Sequence, residues 1–68
     1  MAYSLKFYGT EKTNTNKTVL EAFPNAVNEI TISIKEEDVE HATVISFDRE
    51  TVIKLVKELK KQISLLEY

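Results

Sequence analysis

Apolar and polar positions alternate from Tyr3 to Tyr8, with Tyr3, Leu5 and Phe7 on one side and Ser4, Lys6 and Tyr8 on the other. A period of two with aromatic members predicts a strand, and Gly9 ends it. The next stretch, Thr10–Lys17, is polar throughout and predicts an exposed loop or hairpin turn. Thr18–Phe23 supports two readings. As a strand it puts Val19 and Phe23 on one face and Leu20 and Ala22 on the other. As a short helix it would be capped by Asn16 and stop before Pro24. The strand is favoured, because Thr18, Val19 and Phe23 fit a pleated surface and the run is short for a helix. Pro24-Asn25 then predicts a turn.

Glu29–Lys35 carries the clearest strand pattern. Ile30, Ile32 and Ile34 project one way and Thr31, Ser33 and Lys35 the other, which predicts one buried face and one wet face. The acidic segment Glu36–His41 predicts a turn, and Ala42–Phe47 a further strand paired antiparallel to the isoleucine strand. Its inward set is expected to be Ile45 and Phe47, with Val44 and Ser46 opposite; the reverse assignment is the alternative.

The pattern then changes period. Val52, Val56, Leu59, Ile63 and Leu66 step 4-3-4-3, widened by Ile53, Leu55 and Leu65. This predicts an amphipathic helix of about 18 residues. Asp48 suits the N-cap, with Phe47 and Val52 in the two positions of a hydrophobic staple. Lys60 and Lys61 lie where a helix dipole favours cations.

The expected fold is therefore α+β: a small antiparallel sheet in the order β-β-β-β-α, with one long C-terminal amphipathic helix packed on one face. The second strand is the element with a helical alternative. Residues 1–68 are expected to form a single compact domain, since no linker separates two apolar patterns. Leu5, Phe7, the three isoleucines, Ile45 and Phe47 are expected to meet Val52, Val56, Leu59 and Ile63. So thin a core, without disulfide or metal, favours oligomerisation. The expected state is a homodimer, with Val52, Leu55, Leu59 and Leu66 as the dimerisation candidates.

Composition narrows the chemistry. The 68-residue chain has no cysteine, which excludes disulfides, thiolate zinc sites, iron–sulfur ligation and a cysteine nucleophile. No apolar run is long enough to cross a bilayer. No signal or transit peptide is legible at the N-terminus, and the expected location is cytoplasmic. Net charge is −2, which disfavours non-specific polyanion binding. The charge is uneven: residues 1–47 carry seven acids against four lysines, and residues 48–68 carry five bases against four acids.

His41 follows four acids, yet Glu36, Asp38, Glu40 and His41 lack the glycine pivot of a calcium loop and the convergent ligand set of a zinc site. They read as a solvated hairpin tip. One histidine, no cysteine and no glycine-rich loop give no basis for a catalytic or phosphate-binding centre. No enzyme activity, cofactor or metal is expected. Lys54, Lys57 and Lys61 form an outer helix stripe that reads as a solvated face balanced by Glu50 and Glu58.

The leading functional expectation is a small non-enzymatic protein-binding or regulatory module, of the size a phage or mobile element encodes. Glu36, Glu37, Asp38 and Glu40 are the candidate contacts for a basic partner site. One alternative is a single-stranded nucleic-acid binder that uses Lys6, Tyr8, Phe23 and Lys35 on the open sheet face. A second is a structural subunit of a larger assembly.

Overall fold

The computed structural model describes residues 4–67. It contains four strands and one helix: β1 Leu5–Tyr8, β2 Thr18–Pro24, β3 Ile30–Glu36, β4 Thr43–Phe47 and α1 Arg49–Ile63. The strands form one antiparallel sheet in sequence order, β1-β2-β3-β4. This is the expected α+β architecture. Tyr3, expected in the first strand, lies outside the described residues.

Thr18–Pro24 is a strand throughout. It lies between β1 and β3 in the sheet, so its backbone groups find partners on both sides. No seven-residue helix could match that. The register then sorts the two faces, because residues directly opposite in an antiparallel pair project to the same side. Leu5 faces Ala22, which faces Ile32, which faces Ile45. Phe7 faces Leu20 and then Ile34, while Pro24 faces Ile30 and then Phe47. One face is therefore mainly apolar, interrupted by Thr43 opposite Ile34 on β4 and closed at one end by the Thr18–Glu36 row. The other carries Lys6, Glu21, Ser33 and Val44 in one row and Tyr8, Val19 and Lys35 in another.

The connections are built from small polar residues. A single 3-10 turn, Glu11–Thr13, occupies the β1–β2 loop, and Asn14 follows it at φ 64°. Gly9 packs so closely on the Thr15 backbone that a Cβ there would run into the Thr15 carbonyl. Asn28 closes the β2–β3 turn with φ 64°. Asparagine enters this left-handed region more readily than most residues.

The helix starts one residue after β4. Asp48 is its N-cap, with Oδ1 accepting from the Thr51 N–H at 2.9 Å. Hydrogen bonds from Thr51, the side-chain bond foremost and then the backbone one, hold the exposed Asp48 carboxyl below the usual aspartate value of 3.8. The helix ends at Ile63, sooner than the apolar spacing suggests. Ser64 turns both its N–H (3.2 Å) and its hydroxyl (2.6 Å) onto the Lys61 carbonyl. Leu66 therefore lies beyond the helix, where the 4-3 step of α1 no longer applies.

The extent of packing also differs from expectation. The helix meets the sheet chiefly at β4, the edge strand from which it springs. Its first turns approach Pro24 and Ile30 through Val52 and Ile53. Leu5, Phe7, Ile34 and Ile45 remain exposed, and so do Val56, Leu59 and Ile63. The physical reason is the connection. A single residue, Asp48, leaves α1 no slack to turn back across β2 and β1, whereas strand-to-helix links usually span 2–6 residues. The chain is correspondingly flat and extended, 37 × 33 × 18 Å. Its radius of gyration is 13.7 Å, against about 11 Å for a compact chain of this length.

Candidate binding surfaces

Two surfaces stand out, one on each side of the sheet. The first is the apolar face together with the inner stripe of α1. No hydrophobic side chain among the described residues is buried. Phe7 is 57% exposed, Ile45 53% and Leu59 54%. These are large side chains whose burial is normally a main source of folding free energy. Soluble monomers rarely leave so broad a contiguous apolar patch in water. Where α1 leaves the sheet, Pro24, Ile30, Val52 and Ile53 line a concavity of about 360 Å³ together with Asn28, Glu29 and Arg49.

Of the dimerisation candidates, Val52 and Leu55 are half-buried and Leu59 is exposed. Helical spacing puts Val52, Val56, Leu59 and Ile63 on one stripe, with Leu55 at its margin. Lys54, Lys57 and Lys61 lie on the opposite side, where Lys61 pairs with Glu58 at 3.3 Å.

The second surface is the polar face. Tyr8, Val19 and Lys35 line a concavity of about 470 Å³ with Asn16, Lys17, Glu36 and Glu37. Its two lysines are matched by two glutamates, and Lys17 Nζ lies 3.7 Å from Glu37 Oε2. Lys6 stands in the row of Glu21. Phe23 lies four residues along β2 from Val19, at the far end of the face. The four residues expected to contact nucleic acid thus share a face, but only Tyr8 and Lys35 line one concavity, and its charges are balanced.

Phe23 is instead neighbour to a polar cluster that the sequence pattern did not single out. Thr31 is the one buried residue among those described, at 7% exposure. Its hydroxyl lies 2.9 Å from Asn25 Nδ2, which donates to it, and 2.9 Å from Ser46 Oγ. Asn25 Oδ1 also accepts from the backbone N–H groups of Val27 and Glu29, each at 3.0 Å. The signal in the sequence was an Asn at a turn facing a strand Thr, a pairing too common to single out before the register is known. The cluster ties the β2–β3 turn to β3 and β4, and its polar atoms are partnered.

The acidic candidates Glu36, Glu37, Asp38 and Glu40 are all exposed. Glu36 closes β3 and Glu37 is engaged by Lys17, so the segment does not present one undivided acidic patch. Among the described residues, no three His, Cys, Asp or Glu side chains converge as metal ligands, and no helix is long and apolar enough to cross a membrane. Comparison with protein-family models, curated proteins and solved structures finds no match to the chain.

Proposed function

We propose that the protein is a non-enzymatic protein-binding module whose platform is the apolar sheet face together with the inner stripe of α1. The observation that carries this reading is the absence of any buried hydrophobic side chain among the described residues, beside a sheet face whose three rows from Leu5 to Ile45, Phe7 to Ile34 and Pro24 to Phe47 are apolar. Water-exposed area of that kind is a driving force for association. The polar face supports the nucleic-acid reading less well. Its concavity holds two lysines and two glutamates, one of each in an ion pair, and phosphate contact calls for a basic excess.

Affinity capture with nuclease added tests the proposal. The tagged protein would be offered to native extract mixed with untagged copies of its own chain. The wild type is expected to retain a stoichiometric protein partner, its own copies included. Ile45→Thr combined with Leu59→Ser is expected to lose that partner, because both side chains belong to the exposed apolar surface. Retention of nucleic acid alone, or a partner held equally by the variant, would overturn the reading.

A further inference from the structure

We infer that the occupant of the apolar platform is a second copy of this chain, with α1 of each copy laid across the sheet of the other. This rests on the binding-platform reading and commits it to one partner.

Area is the first argument. The chain exposes 6415 Å². A compact monomer of 7.8 kDa exposes about 4,400 Å² by the size scaling of folded proteins. The excess is about 2,000 Å² per chain, so two chains hiding it would bury about 4,000 Å² together, within the range of obligate homodimers. A small transient contact would leave most of the excess in water.

Self-complementarity is the second. The missing cover of the sheet is a helix with an apolar stripe, and the missing cover of the helix is an apolar sheet. One chain carries both, and its one-residue link keeps the two from closing on each other. A two-fold axis lets each half satisfy its counterpart in the partner, as an isologous interface requires. The dimensions agree. A 15-residue helix is about 22 Å long, and the outer strand axes of a four-stranded sheet lie about 14 Å apart, so the helix reaches across every strand.

Charge is the third. Each chain carries −2, yet the rows of the apolar face joining Leu5 to Ile45, Phe7 to Ile34 and Pro24 to Phe47 hold no charged residue; the one charge on that face among the described residues, Glu36 opposite Thr18, stands in the row at its end. The charged stripe of α1 lies on its other side. Two copies can meet over those three rows without bringing like charges together.

Sedimentation equilibrium of the purified full chain, from about 100 nM to about 100 µM, tests the inference in the range where dissociation of such a pair would be read. The expected species has twice the 7.8 kDa chain mass. A second measurement needs no variant: methyl-labelled and unlabelled copies are mixed, and intermolecular NOEs are expected between Leu59 of one copy and Ile32 or Ile45 of the other. Leu59→Lys, at a position exposed in the single chain, is expected to halve the sedimenting mass. A folded 7.8 kDa species at all concentrations, open-ended growth with concentration, or a dimer without those NOEs would overturn the inference. A monomer that still captures a variant-sensitive protein from extract would overturn the second copy alone. A monomer that captures none would overturn the platform reading as well.

Discussion

Asn25 bears more of the local structure than its turn position suggests. Its side chain accepts from two backbone N–H groups and donates to Thr31, whose hydroxyl continues to Ser46. Removing one member of a part-buried set leaves the others short of partners, which costs more than the bond alone contributes. Asn25→Ala is expected to lower stability by about 1–3 kcal/mol, read as a shift in urea midpoint at unchanged m-value. An unshifted midpoint would remove the cluster from the account. Asp48 works at the same scale. Hydrogen bonds from Thr51 favour its ionised form and hold its pKa below 3.8. The folded value is thus below the unfolded one, so the cap's stabilisation is complete above the ordinary aspartate range and is lost as pH falls through the depressed value. Wild type is expected to lose more helical ellipticity than Asp48→Asn between about pH 5 and about pH 2, since Asn keeps an acceptor that does not titrate there. Equal losses would contradict that role.

At the scale of elements, alternation and helical spacing are reliable where one residue type repeats. Ile30, Ile32 and Ile34 mark β3 and its apolar side without help from the rest of the chain. The strand reading of Thr18–Phe23 needed tertiary pairing, because its local pattern tolerates both periods until β1 and β3 are in place, and Pro24, expected in the turn, closes the strand opposite Ile30. The C-terminal end of α1 was less legible. Leu65 and Leu66 continue the apolar density, but Ser64 redirects the backbone through the Lys61 carbonyl. Spacing reports which side of an element is apolar and is silent about a hydroxyl that competes for a helix carbonyl. The candidate sites divide the same way. Register confirms that Lys6, Tyr8, Phe23 and Lys35 share one face, whereas the Glu37–Lys17 pair and the remoteness of Phe23 depend on how loops and strand lengths fall.

At the scale of the whole molecule, the deciding feature is the one-residue link at Asp48. Sequence pattern places an apolar stripe on α1 and an apolar face on the sheet, but which surface covers which depends on the direction the helix leaves β4. In the single chain both stay largely open. A flat, 18 Å-thick chain with no buried hydrophobic side chain among its described residues has little to hold it folded alone. Folding and association are therefore expected to be one process, with stability inseparable from chain concentration. Thermal unfolding followed by circular dichroism over a wide concentration range tests this most directly. The midpoint is expected to rise steadily with chain concentration; a midpoint that stays constant while the transition remains cooperative would contradict it.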